Sequence, residues 1–383
     1  MKFKPRKFMI VAGEASGDLH AAKLVRALRE ASPEAEFEFF GAAGSHLREA
    51  GVEPVVRSDG LAIVGLTEIG RSLPMFLKAF RELKRVAIER RPDAVILVDF
   101  PDFNLKLAKS LKKQGLTVVY YISPQIWAWR KYRVKSVLKY VDLMLTILPF
   151  EKVWYSAEGV NHVEYVGSPL AREVFSTSSK EEFCTEFGLS PAKPIISLLP
   201  GSRHKEISRV WPVIVKASEM LSREIPEIQF VVALSSNHRS EIVSQAMKCR
   251  ASITLVVGRT YDALNASDAA AITSGTATLE AAIIGTPMVI VYKTSVVNYK
   301  LLRPLISVDH FGLVNLIAGE RIAKELIQDD FTAETLSEEL LGLLKPEKNR
   351  EMRGRLRAVA DKLGHGGASK RAAEAILKLL DGR

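Results

Sequence analysis

Short apolar runs alternate with amphipathic stretches along almost the whole chain. "KFMIVA" (7–12), "FEFFG" (37–41), "DAVILVD" (93–99), "TVVYYIS" (117–123), "DLMLTIL" (142–148) and "VEYVG" (163–167) are predicted strands, most of them apolar on both faces as buried parallel strands require. The segments between them carry apolar residues at helical spacing, so the first half reads as a parallel sheet wrapped by helices. After a polar, charged segment from Ser176 to Lys193 the alternation restarts at "KPIISLLPGSR" (193–203). It continues through "IQFVVALS" (228–235), "ITLVV" (253–257), "AAAIT" (269–273) and "PMVIVY" (287–292). From Ala333 the pattern turns helical and charged, with Leu336, Leu340, Leu341 and Leu344 recurring at helical spacing. The expected fold is α/β: two tandem doubly wound, Rossmann-like domains facing a cleft, over 1–180 and 181–345. A helical tail, 346–383, is expected to pack back across them.

At 383 residues and 47% hydrophobic, the chain can fill two cores and is not a disordered one. Lys4, Arg6 and Lys7 precede an apolar run that lasts only from Phe8 to Ala12, too short for a signal-peptide core. No stretch approaches a transmembrane helix, so a soluble or membrane-surface protein is expected. Cys184 and Cys249 lack CxxC or Cys/His spacing, which fits free thiols in a reducing cytoplasm and no metal site. The net charge of +10 calls for an anionic partner: nucleic acid, acidic lipid or a phosphorylated substrate. With no zinc-finger spacing and no RNA-binding sheet motif, nucleic acid is the weakest of these.

Open α/β sheets bind ligands at the carboxyl ends of their strands, and two in tandem can hold a donor and an acceptor. In the second half, "LLPGSRHKEI" (198–207) places Gly201, Ser202 and Arg203 between a strand and a helix. Glycine lets backbone approach closely, serine can hydrogen-bond, and arginine can clamp a diphosphate; an ordinary turn with a solvated arginine reads equally well. "TSGTATLEAAIIGTP" (273–287) repeats the arrangement, with Ser274, Gly275 and Thr276 at a helix start and Glu280 one turn on, suited to ribose hydroxyls; a capping motif with Glu280 on a solvated face is the alternative. This pattern is similar to the nucleotide-diphosphate end of two-domain GT-B glycosyltransferases. No Asp-x-Asp metal–diphosphate motif occurs.

In the first half, "VDFPDFN" (98–104) puts Asp99 at the end of the most apolar strand, a position suited to a general base acting on a sugar hydroxyl or to a residue that caps a turn. Asp102 and Asn104 fit a helix cap more readily. "MIVAGEASGDLH" (9–20) has the strand–glycine–helix layout of a phosphate cradle, yet Glu14 and Asp18 would repel a phosphate. "YYISPQIWAWRKYRVKSVLKY" (120–140) interleaves rings with cations, and fits helix packing, a lipid interface or a stacking surface for single-stranded nucleic acid.

Taken in order, "VAGEASGD" (11–18), "VDFPDFN" (98–104), "SPQIWAWR" (123–130), "LPFE" (148–151), "LPGSR" (199–203), "SGTATLE" (274–280) and "NLIAG" (315–319) resemble the signature stretches of the lipid-A-disaccharide synthase family. The likeness runs from about Val11 to Ala318, with Val314 departing where the family pattern has proline. It implies an inverting transfer of 2,3-diacylglucosamine from UDP to the 6-hydroxyl of 2,3-diacylglucosamine 1-phosphate, giving UDP and a β-1,6-linked lipid A disaccharide 1-phosphate. The first domain would then bind the acceptor and face the membrane, and the second would bind the UDP-sugar, with no cofactor or metal. The resemblance puts Asp99 forward as base with Glu14 as runner-up. Arg203, Ser202, Gly201 and the Ser274–Gly275–Thr276 turn would meet the departing UDP, Glu280 its ribose, and Asn315 the donor. Ser16, Asp102 and Asn104 join the substrate-binding set. Glu14 then faces a sugar rather than a phosphate, and Asp18 complements the dipole of its helix.

Acylated substrates demand an apolar surface. In "RSLPMFLKAFRELKR" (71–85), Leu73, Phe76, Leu77, Phe80 and Leu83 follow helical spacing among Arg71, Lys78, Arg81, Lys84 and Arg85. That stripe packs on a sheet or enters the boundary of an anionic membrane, the latter placing the protein in the cytoplasm at the inner membrane of a Gram-negative bacterium. The helical tail also suits a homo-oligomer. Rival readings are a UDP-sugar 2-epimerase of the same fold, and a basic protein binding lipid or nucleic acid without catalysis.

Overall fold

A computed structural model describes residues 5–58, 69–234, 242, 244, 246, 249–303, 308–364 and 366–382. The chain forms two compact units, one of residues 1–169 with 366–383 and the other of 170–365.

The first unit is built on a parallel sheet of seven strands: β1 (Arg6–Ala12), β2 (Phe37–Ala43), β3 (Glu53–Arg57), β4 (Ala94–Val98), β5 (Val118–Tyr121), β6 (Leu143–Thr146) and β7 (Val163–Tyr165). Their order is β3-β2-β1-β4-β5-β6-β7. All residues of β4, β5 and β6 are buried, because helices cover both faces of the sheet. On one face α1 (Ala15–Ala31) packs with the C-terminal helix Ala368–Asp381, where Ala21, Leu24, Val25 and Leu28 share a core with Ala372, Ala373 and Ile376. On the other lie α3 (Ile69–Arg90) and α4 (Pro101–Lys112), following the short α2 (Ser45–Glu49). The C-terminal helix is further tied down by Arg371, whose Nε donates to the Val166 carbonyl at 2.7 Å.

The second unit has a parallel sheet of six strands, β8 (Ile195–Leu199), β9 (Gln229–Leu234), β10 (Ile253–Val257), β11 (Ala269–Thr273), β12 (Met288–Tyr292) and β13 (Glu325–Ile327), ordered β10-β9-β8-β11-β12-β13. Each predicted strand is present. Among the described residues the strands without a sequence signal are β3 and β13, and both are sheet edges, where half-exposed, short or proline-bearing strands lack the apolar pattern of central ones.

The units part at 169/170 and 365/366 instead of the 180/181 and 345/346 boundaries read from the sequence. The first shift follows from Asp262, whose carboxylate accepts from the Thr177 and Ser178 N–H groups and the Ser176 and Thr177 hydroxyls, drawing that segment into the second unit. The second follows from the tail dividing. Helix Pro346–Lys362 stays with the second unit, and the chain turns at Gly366 and Gly367 (φ 85° and 75°) before its last helix joins the first. Both turning positions are left-handed, which is why glycine occupies them.

Candidate functional site

In the first sheet β1 pairs with β4, with Ala12 opposite Val98, and the strand order runs away from this pair in opposite directions. The loops after β1 and β4 therefore diverge and leave a crevice at the carboxyl edge. Gly13 and Glu14 stand on one side of it, Asp99 and Phe100 on the other. A Cβ on Gly13 would lie 2.3 Å from the Phe100 ring, so only glycine fits there.

Asp99 and Phe100 both adopt left-handed backbone (φ 46° and 51°), costly for residues with side chains. Three bonds enforce the kink: the Asp99 N–H donates to the Tyr121 carbonyl (3.1 Å), and the Asp99 carbonyl accepts from the Tyr120 hydroxyl (2.6 Å) and Asn104 Nδ2 (2.7 Å). Asn104, fully buried, thus clamps the backbone through its Nδ2, which also donates to the Val98 carbonyl at 3.2 Å. Burial pushes the Asp99 pKa up to about 6, helped by the charge of Glu14 and opposed by the Phe100 N–H. The result is a carboxylate still ionised at neutral pH but more basic than an ordinary aspartate.

Glu14 is the exposed residue that starts α1, and Ser16 is exposed one position inside it. Asp18 does more than complement a dipole: it is buried and accepts from the N–H groups of Gly44 (2.7 Å) and His46 (2.9 Å). Beside it opens a cavity of about 220 Å³ lined by Glu14, Ser45, His46 and Ser58. Asp102, on the first turn of α4, holds Arg130 and Arg133 rather than capping the helix.

The second sheet repeats the geometry. Leu199 of β8 pairs with Ile272 of β11, again where the strand order reverses, so the loops 200–203 and 274–276 emerge side by side. Gly201 turns the first loop with φ 104°, and Ser202 is exposed beside it. Arg203 leads into the helix His204–Glu224 with its side chain 82% exposed and Glu206 as ion-pair partner at 3.2 Å, leaving most of its fork open to an anion. Gly275 and the exposed Thr276 open the helix Ala277–Ile284. Glu280 is half-buried, its pKa raised by burial, and it accepts a long 3.4 Å bond from the Tyr261 hydroxyl.

Ser274 and Asn315 are engaged inside the unit. The Ser274 hydroxyl donates to the Phe311 carbonyl at 2.8 Å. Asn315 is fully buried: its Nδ2 donates to Ala323 O and Glu325 Oε1, and its Oδ1 accepts from the Ile322 and Ala323 N–H groups. An amide with every donor and acceptor engaged has nothing left for a donor substrate, so Asn315 shapes the loop that Ser274 touches.

The stripe on α3 divides. Leu73 and Leu77 are exposed, but Phe76 and Phe80 turn inward, with ring centroids 6.1 Å from Phe100 and 5.8 Å from Phe103. The two phenylalanines therefore support the Asp99–Phe100 kink, and Leu73 and Leu77, one helical turn apart, form an exposed apolar pair. None of the described helices is long and apolar enough to cross a membrane.

Sequence reasoning also missed Glu151. It is fully buried, and Ser123 Oγ (2.6 Å), Trp127 Nε1 (3.0 Å) and the N–H groups of Ile147 and Leu148 all donate to it. Burial raises its pKa to about 7 against the pull of those four donors. The signal lay in "SPQIWAWR" and "LPFE", which this one carboxylate joins.

The family model described as lipid-A-disaccharide synthetase matches residues 8–378. A lipid-A-disaccharide synthase of Trichlorobacter lovleyi is 43% identical over 380 residues, covering 99% of this chain and 98% of that protein. Among solved structures, a UDP-GlcNAc 2-epimerase from Neisseria meningitidis bound to UDP-GlcNAc aligns with a TM-score of 0.64 at 15% identity, over 97% of this chain and 100% of its own. The glycosyltransferase of kitacinnamycin aligns with a TM-score of 0.63 at 14% identity, over 98% and 100%. Those two show the fold, the α/β architecture of GT-B glycosyltransferases, whereas the family model and the near relative decide between the epimerase and synthase readings. The chain belongs to the lipid-A-disaccharide synthetase family.

Proposed function

We propose that the protein is an inverting glycosyltransferase that moves 2,3-diacylglucosamine from UDP to the 6-hydroxyl of 2,3-diacylglucosamine 1-phosphate. The observation that carries this reading is Asp99: a half-buried carboxylate of raised basicity, held in a strained kink at the carboxyl edge of the first sheet. Asp99 takes the proton from the acceptor 6-hydroxyl as that oxygen attacks the anomeric carbon of the donor. The bond from that carbon to the UDP oxygen breaks on the opposite side, and one in-line displacement inverts the configuration.

Negative charge builds on the departing diphosphate, and Arg203 with the backbone N–H groups around Gly275 and Thr276 stabilises it, a role that asks for no metal. Glu280 receives the ribose hydroxyls. Leu73 and Leu77, beside the cations Lys78 and Arg81, rest on an anionic membrane and give the acyl chains a route from the bilayer. In this reading the enzyme works peripherally, on the cytoplasmic side of an inner membrane. The test mixes purified protein with UDP-2,3-diacylglucosamine, with and without acceptor, and follows UDP and products by mass spectrometry. Acceptor-dependent UDP together with a disaccharide phosphate supports the transfer; a sugar that stays on the nucleotide and changes configuration would mean epimerisation.

A further inference from the structure

Asp102 Oδ1 accepts hydrogen bonds from two guanidinium groups at once, Arg130 at 2.8 Å and Arg133. Two cations face one anion, so the cluster holds an unspent positive charge, and the neighbouring Lys131 is occupied by Glu158 at 2.7 Å. Exposure within the cluster is uneven: the Asp102 side chain is 69% exposed, Arg130 27% and Arg133 15%. The cations are set into the wall and the carboxylate lies on top, in the position of a replaceable anion. Arg130 is fixed in plane by stacking on the Trp129 ring, 3.8 Å from its centroid. The Asp102 carboxylate is mostly exposed, so it can return to water when a more highly charged anion takes its place between the two guanidinium groups.

The cluster adjoins the proposed base. Asp102 follows Asp99 by three residues, which bounds their Cα separation at about 11 Å. Arg133 and Asp102 both act electrostatically on the Tyr120 hydroxyl, the group that donates to the Asp99 carbonyl. In a hexopyranose, the 6-hydroxymethyl and a substituent on C1 flank the ring oxygen. A sugar presenting its 6-hydroxyl to Asp99 therefore carries its C1 substituent only one ring edge away.

We propose that Arg130 and Arg133 form the receptor for the 1-phosphate of the acceptor sugar, with Asp102 the internal carboxylate which that phosphate displaces. The inference rests on the transferase reading above and deepens it. Two guanidinium forks match the double charge and several oxygens of a phosphomonoester better than the single charge of a carboxylate.

The test compares phosphorylated and dephosphorylated acceptor in neutral detergent micelles. Arg130→Gln and Arg133→Gln are expected to raise KM for the phosphorylated acceptor about 10- to 100-fold, with little change for the dephosphorylated one, and Arg133→Lys to recover part of the loss. Asp102→Asn, at an exposed position that leaves folding intact, is expected to lower KM for the phosphorylated acceptor. Equal losses with both acceptors, or a raised KM in Asp102→Asn, would overturn the receptor. So would arginine variants that lose binding to phosphatidylglycerol vesicles with acceptor KM unchanged, since the pair would then serve lipid headgroups. Wild-type protein using both acceptors equally well sinks the phosphate receptor and leaves the transferase standing; turnover of neither removes both.

Discussion

Tyr120 donates its hydroxyl hydrogen bond to the main-chain carbonyl of Asp99 at 2.6 Å, so a residue buried in β5 holds the backbone of the residue that follows β4. Because Asn104 shares the carbonyl, Tyr120→Phe leaves it one partner and is expected to cost only about 1 kcal/mol of stability. Loosening the kink misplaces the carboxylate, so kcat is expected to fall about 10-fold with UDP affinity unchanged. Steady-state kinetics beside a UDP titration checks this; an unaltered kcat would mean the kink does not depend on the tyrosine.

The raised basicity of Asp99 gives a pH signature. A general base works when ionised, so kcat/KM is expected to rise with pH through about 6 and to level off above it. Glu14 contributes to the upward shift, so Glu14→Gln should move that acid limb to lower pH. A limb that stays in place in the variant would separate Glu14 from the base.

Arg203 has little to lose in the free protein, being exposed with Glu206 as its ion-pair partner. Arg203→Ala is expected to leave the melting temperature unchanged, to raise the donor KM and to lower kcat, together costing ~10²-fold in kcat/KM. Calorimetric titration with UDP checks the binding part. Unchanged kinetics would remove the diphosphate clamp.

Leu73 and Leu77 are exposed, so replacing both with serine should change stability by no more than about 0.5 kcal/mol at each site. Co-sedimentation with anionic vesicles is expected to fall. Full vesicle binding by the double variant would place the membrane contact elsewhere on the surface.

Asn315→Ala removes an amide that serves Ala323, Glu325 and Ile322, and the groups left unpaired are buried. A loss of ~2–4 kcal/mol is expected, seen as a lowered melting temperature. A variant as stable as the wild type but poor in binding UDP would return Asn315 to the donor.

The sheets were legible because central parallel strands are apolar on both faces, as "AVILV" of β4 shows. Edge strands were not: β3, with Pro54 and Glu53, carries no such signal. At the site, Asp99 and Arg203 could be picked out because a polar residue ending an apolar strand needs no long-range partner to be noticed. The local sequence says where they stand. Asn104, Asn315, Asp18 and Glu151 look equally polar in sequence but are held by backbone and side-chain groups up to 28 residues away. Only tertiary packing tells a buried clamp from a ligand contact, and the same holds for Phe76 and Phe80, whose spacing suits a membrane face as well as a core.

The most direct measurement sets wild-type protein and Asp99→Asn side by side with UDP-2,3-diacylglucosamine, with and without 2,3-diacylglucosamine 1-phosphate, scoring UDP and the disaccharide 1-phosphate by mass spectrometry. Expected is acceptor-dependent formation of both products by the wild type, with turnover lowered by ~10²–10⁴ in the variant and UDP affinity nearly intact. Near-normal turnover by Asp99→Asn, or UDP release by the wild type without a disaccharide, would contradict it.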